Sequence, residues 1–252
     1  RFEEKPQDPS LQEELKLPKD WYPKLDIHSD KELWLASMGI YVFNRQTILE
    51  LLDNAHTDFG KHIIPGAIKT HKLSSYVFQG YWEDVGTIKA FFDANLDLTS
   101  MLPKFNFFDM DSPVFTRPRF LPASKVNGGV IENTLLSDGC IVHKARLKEC
   151  MLGIRSNVGA DTDMQRVVMM GADYYESLHS IAKHQEEGEP SVGIGPRTRV
   201  VNAIIDKNAR IGSDCVISPD GKPNEMDSEL FHVRDGIIVI PKNTVIPNGT
   251  VI

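Results

Sequence analysis

The feature that most constrains this chain is a six-residue rhythm in its second half. The chain ends VIPKNT, VIPNGT, VI, with Val239, Val245 and Val251 six positions apart. Ile194 and Val200 keep the same spacing, as do Ile211 and Ile217, while Val130, Leu136, Ile141, Leu147, Leu152 and Val158 recur at five or six. Small or turn-forming residues fill the intervals. One aliphatic per hexapeptide is the mark of a parallel β-helix, in which three short sides close a coil of about 18 residues. A single coil buries too little to stand alone, so the core comes from stacking, with the aliphatics pointing inward. A sandwich of short strands is the competing fold, but there turns recur every ~8–12 residues. The rhythm breaks at residues 172–191, around HQEEGEP, and at 218–234, and both breaks read as insertions that loop out of the coil.

The first hundred residues have a different texture. Leu35–Phe43 (LASMGIYVF) and Leu73–Trp82 read as strands, and Thr47–Leu52 as a helix with a wide apolar face. Thr87 is placed to cap a helix running through Leu98. This alternation points to an α/β domain, thin at that length, and the chain opens inside a dense motif; both suggest that an upstream part is missing. Pro103, Pro113, Pro118 and Pro122 make 101–125 an extended linker. The expected organisation is thus residues 1–100, the C-terminal part of a catalytic domain; 101–125, the linker; and 126–252, the β-helix.

Charge and cysteines exclude some functions. Residues 1–125 carry 15 basic and 18 acidic side chains, and the whole chain has a net charge of −7. Neither half has the positive excess that a nucleic-acid partner requires. No stretch approaches 18 uninterrupted apolar residues, so no membrane span is expected. Cys140, Cys150 and Cys215 are odd in number and widely spaced, which speaks against a disulfide framework and for a reducing compartment.

Four groups of residues carry possible chemistry. In Phe2-Glu3-Glu4-Lys5-Pro6, Lys5 suits a phosphate monoester and Glu4 suits sugar hydroxyls. Ser37-Met38-Gly39 offers a hydroxyl beside a residue that lets a ligand approach the backbone. Glu83-Asp84 follows a strand and precedes a helix start, where ligands sit in open α/β sheets. The fourth group is basic: Arg197, Arg199, Lys207, Arg210, Arg234 and Lys242 lie in the repeats. Once the second insertion is subtracted, Lys207 and Lys242 are one coil apart, where their like charges are unfavourable unless an anion lies between them. Each group also has a plainer reading, as a surface residue, a satisfied serine, a helix-dipole partner or a solvated face. His143 could suggest a hexapeptide acyltransferase, but its sequence neighbourhood supplies no partner carboxylate.

Taken together, E-K-P, A-S-M-G-I-Y-V-F, D-F-G-K-H-I-I-P (Asp58–Pro65), Y-W-E-D-V-G-T-I, D-K-N-A-R-I-G (Asp206–Gly212) and the hexapeptide ending resemble the glucose-1-phosphate adenylyltransferases, also called ADP-glucose pyrophosphorylases. The resemblance runs in order along essentially the whole chain and is closer to the plant and cyanobacterial branch. It implies an α/β, Rossmann-like nucleotidyltransferase portion followed by a left-handed parallel β-helix. It also implies formation of ADP-glucose and pyrophosphate from ATP and glucose 1-phosphate, for glycogen or starch synthesis. By the same resemblance, Lys5 holds the sugar phosphate, Glu4 the glucose hydroxyls, Ser37 and Gly39 line the sugar site, and Asp84 is one of two carboxylates on Mg²⁺. Lys207 and Lys242, with Arg210 and Arg234 beside them, match an allosteric site for 3-phosphoglycerate. A homo- or heterotetramer in the cytoplasm, or in the plastid stroma of a plant, is implied. The family's Gly-rich nucleotide loop, adenine pocket and other metal aspartate have no counterpart here. A non-catalytic regulatory subunit, or a sibling enzyme using another base, therefore stands as the alternative.

Overall fold

A computed structural model of the chain describes residues 2–4 and 6–252. It divides into two compact units, Arg1–Trp82 and Glu83–Ile252.

In the second unit the strands stack in parallel as the coils of a β-helix. One column of aliphatics runs Val142, Val158, Ile194, Ile211, Ile246, each directly bridged to the next. A second runs Leu147, Met164, Val200, Ile217, and a third runs Leu152, Met169, Ile205, Ile240. These residues are all buried and form one continuous core with the three cysteines. Parallel ladders satisfy the backbone between coils, so a short segment can be buried without orphaned amides.

The final repeats correct the sequence reading. Val245 and Val251 face outward, the latter 77% exposed, while Ile240, Ile246 and Ile252 fill the interior. In V-I-P-x-x-T both aliphatics recur at six, so the period alone does not say which one points in. Val130 likewise lies outside, and its neighbour Ile131 pairs with Leu147.

At the corners the chain turns through left-handed conformations, borne by Asn202, Asn208 and Asn243 among others. Gly212 occupies a corner so close to the next coil that a Cβ there would lie 2.5 Å from the Asn248 amide nitrogen. The first insertion forms the helix Leu178–Glu187, capped by Ser177. The second returns through an antiparallel pair, Glu225–Asp227 with His232–Arg234, that rejoins Ile237–Ile240.

The helix Ile88–Asp97 belongs to this unit. Thr87 caps it, its hydroxyl accepting from the Ala90 amide at 3.1 Å. Phe92 and Leu96 pack on Val168, Ile204 and Ile237, outward residues of one face of the coil. Residues 101–124 contain no helix or strand.

The first unit departs from expectation. Leu35–Phe43 and Leu73–Trp82 do not form strands, and the one bridge among its described residues joins Lys16 to Trp34. A strand needs a ladder partner, and neither segment finds one among the described residues, so Ile40, Val42 and Tyr76 stand exposed. Helices form at Arg45–Leu52 and Ile64–Thr70, the latter led by a π-helical turn at Phe59–Ile63. Asp58 caps that turn by accepting from the Lys61 amide at 2.9 Å, and this bond holds the Asp58 carboxyl below its ordinary range. Ile63, Ile64 and Ala67 are buried beneath it.

Candidate functional site

The sequence-named residues of the first unit collect around Phe59. The Glu4 carboxylate lies against Gly60, where a Cβ would come within 2.9 Å of its Oε2. That oxygen is buried and has no hydrogen-bond partner among the described residues. Phe59 stacks on Tyr41 with centroids 6.2 Å apart, and the Tyr41 hydroxyl lies 3.1 Å from Ser37 Oγ. Ser37 Oγ also accepts from the Gly39 amide at 3.2 Å, and Gly39 has a φ of 70° with open space where a Cβ would stand. Tyr41 and Phe59 thus link the acid to the hydroxyl, a role that the apolar run around them hides in the sequence. Lys5 lies outside the described residues.

Asp84 is exposed just ahead of the helix Ile88–Asp97. Its Oδ1 accepts from the Gly86 amide at 3.2 Å. Its second oxygen makes no hydrogen bond or ion pair among the described residues, which suits an ion that takes one or two carboxylates and completes its shell with phosphate and water. Among the described residues no group of three or more His, Cys, Asp or Glu is arranged for a metal ion, so Asp84 offers one ligand and not a complete site.

The basic constellation of the β-helix resolves into four separate arrangements. Lys207 and Lys242 sit on adjacent coils, and both reach Asp173: Lys207 Nζ lies 2.9 Å from Oδ1 and Lys242 Nζ 3.0 Å from Oδ2. Asn208 Nδ2 donates to the same carboxylate at 3.1 Å, and Asn208 Oδ1 accepts from the Asp173 amide at 2.8 Å. Lys207, then Lys242 and Asn208, hold the Asp173 carboxyl far below the usual carboxylate range.

Arg210 and Arg234, expected beside these lysines, are engaged elsewhere. Arg210 lies 2.7 Å from Oε1 of the buried Glu176 and donates to the Pro190 carbonyl at 3.0 Å. His184 Nδ1 sits 3.1 Å from the same Glu176 oxygen, so this group clasps the first insertion to the coil. Arg234 pairs with Asp227 at 2.5 Å and Glu225 at 3.5 Å, tying the second insertion to itself. Arg197 forms a two-point pair with Asp214, both contacts at 2.6 Å. His143 Nδ1 meets Asn127 Nδ2 at 2.9 Å.

Beside Lys207 opens a cavity of about 570 Å³, lined by Arg117, Arg119, Phe120, Arg155 and Asp173 among others. None of these three arginines pairs with a carboxylate among the described residues. Arg155 donates to the Ala172 carbonyl at 3.2 Å and lies over the Tyr175 ring. Sequence reasoning missed Asp173, Asn208 and Arg155. Asp173 stands where the first insertion leaves the coil, outside the period that pointed to the lysines.

Comparison with known families agrees with this architecture. Residues 119–251 match the GLGC left-handed parallel beta-helix domain, and residues 1–101 match the nucleotidyl transferase family. Among the described residues no helix is long and apolar enough to cross a membrane.

Proposed function

The chain belongs to the nucleotidyl transferase family that carries a GLGC left-handed parallel β-helix domain, and on that premise we propose that it serves a glucose-1-phosphate adenylyltransferase. The reaction is attack of glucose 1-phosphate on the α-phosphorus of ATP, giving ADP-glucose and releasing pyrophosphate. The observation that carries this reading is the succession of the two domains in one chain, with the sugar-phosphate motifs in the first. The buried Glu4 oxygen, without a hydrogen-bond partner among the described residues, supports it, since a buried acceptor gains most from a hydroxyl donor.

Catalysis of this kind rests on positioning and on neutralising phosphate charge. Glu4, Ser37 and Gly39 orient the sugar, and Lys5 holds its phosphate. Asp84 supplies one carboxylate to Mg²⁺, which when bound offsets negative charge on the nucleotide phosphates. The exposed apolar segments Leu35–Phe43 and Leu73–Trp82 pair with strands outside this sequence, which also supply the nucleotide loop and the second metal carboxylate. Residues 1–100 therefore close the catalytic domain, 101–125 connect, and 126–252 regulate and assemble the tetramer. Lys207 and Lys242 bind a small phosphorylated acid such as 3-phosphoglycerate, while Arg210 and Arg234 fix the two insertions.

The test is kinetic, in the protein that contains this chain together with those strands. Lys5→Ala raises KM for glucose 1-phosphate by roughly 10- to 150-fold, the equivalent of one charge-assisted contact of about 1.5–3 kcal/mol. Asp84→Asn lowers kcat instead, because the metal acts on charge developing in the transition state. Pyrophosphate release that requires neither residue, or that prefers another nucleotide, would show a different chemistry or a regulatory subunit.

A further inference from the structure

We propose that Asp173 is a tethered competitor: its carboxylate occupies the Lys207–Lys242 pair in the resting protein, and a phosphorylated ligand binds there only by displacing it. The proposal rests on the reading of these lysines as an anion site and adds how that site is kept closed.

Two cations on neighbouring coils repel unless an anion lies between them, and here the anion is part of the chain. Each Asp173 oxygen takes one lysine, at 2.9 and 3.0 Å. The backbone beneath is fixed independently of the carboxylate. The Asp173 amide donates to Asn208, the preceding Ala172 amide donates to the Ile154 carbonyl at 2.9 Å, and Arg155 holds the Ala172 carbonyl. Two residues on, Tyr175 donates to the Gly139 carbonyl at 2.9 Å. The carboxylate can therefore swing away by side-chain rotation while the root of the insertion stays seated.

Arg117, Arg119 and Arg155, unpaired with any carboxylate among the described residues, line the cavity on the Lys207 side. A single carboxylate balances one unit of charge among these cations and leaves an excess. A phosphate with about two negative charges and three acceptor oxygens satisfies more of the donors than Asp173 does, which provides the driving force for exchange. A neutral ligand has no such advantage.

Apparent affinity falls by the fraction of molecules whose site is open, so removing the competitor must tighten binding. The experiment is calorimetric titration of the full chain with inorganic phosphate and with 3-phosphoglycerate. It compares wild type, Asp173→Asn, Asp173→Ser, Lys207→Ala and Lys242→Ala. The two Asp173 variants should bind at least about threefold more tightly than wild type, on the order of 3- to 30-fold for a site open in a third to a thirtieth of molecules. The lysine variants should bind more weakly. Two Asp173 variants guard against one that misfolds, and the ligand-induced rise in melting temperature gives a second readout, larger in them than in wild type. If the lysine variants weaken binding but the Asp173 variants bind equally or more weakly, the competitor is refuted while the anion site survives. If the lysine variants bind as wild type does, or wild type and Asp173 variants alike bind neither anion, the anion site itself is refuted and the competitor with it.

Discussion

Truncation of Ile211 tests whether the aliphatic columns hold the β-helix together. Ile211 bridges Ile194 on one coil and Ile246 on the next, and is fully buried. Ile211→Ala removes three carbons from that column. At about 0.8 kcal/mol per buried carbon, the transfer loss is about 2.4 kcal/mol. The flanking strands are fixed by ladders to both neighbouring coils, so the walls cannot close on the void. The cavity brings the expected cost to about 3–4.5 kcal/mol. Val245→Ala is the control, since Val245 is bridged to Arg210 on the outside of the same stack and costs less than about 1 kcal/mol. The assay is urea unfolding followed by far-ultraviolet circular dichroism, because Trp21, Trp34 and Trp82 all lie outside the β-helix. With a slope of about 2.5 kcal/mol per molar urea, the midpoint should fall by roughly 1.2–1.8 M. A fall below about 0.4 M, or an equal fall for Val245→Ala, would mean that the column is not the principal support.

Gly212→Ala should destabilise by at least about 2 kcal/mol, as overpacking against backbone does, because its Cβ would meet the Asn248 amide nitrogen at 2.5 Å; the same denaturation series checks it. Cys140, Cys150 and Cys215 should resist a thiol reagent until the chain unfolds, since all three are buried and desolvation pushes the Cys150 thiol up to about 11. Asp173 has a folded pKa below its unfolded one, so the stability it contributes is fully present above the ordinary carboxylate range and is lost as pH falls through the folded value. The difference in melting temperature between wild type and Asp173→Asn should therefore be flat from neutral pH down to about pH 5 and narrow only below about pH 4.

The sequence revealed what is periodic or local. Leu147, Leu152 and Val158 could be placed inside the coil, and Thr87 at a helix start, because stacking and capping leave marks at fixed offsets. Subtracting an insertion brought Lys207 and Lys242 together without any structure. Partners drawn from outside the period could not be read in the same way. Asp173, Glu176 and Asp227 sit in the insertions, whose paths no repeat governs, so the destinations of Arg210 and Arg234 were hidden. In the last repeats two aliphatics share one period, and only the packing of Ile246 shows which is the core. Leu35–Phe43 has the composition of a buried strand, but a ladder is a property of two segments and it pairs with none among the described residues.

The first insertion leaves and rejoins the coil without disturbing the bridge from Val158 to Ile194, and its root is pinned through Ala172, Asp173 and Tyr175. The turn that ends its helix is different in kind. Gly188 closes the helix Leu178–Glu187 in a left-handed turn with nothing within 4 Å of where a Cβ would be. Lengthening a loop there costs only about 0.6 kcal/mol for each doubling. That turn can thus accept a grafted epitope or a fluorophore while the scaffold keeps its register.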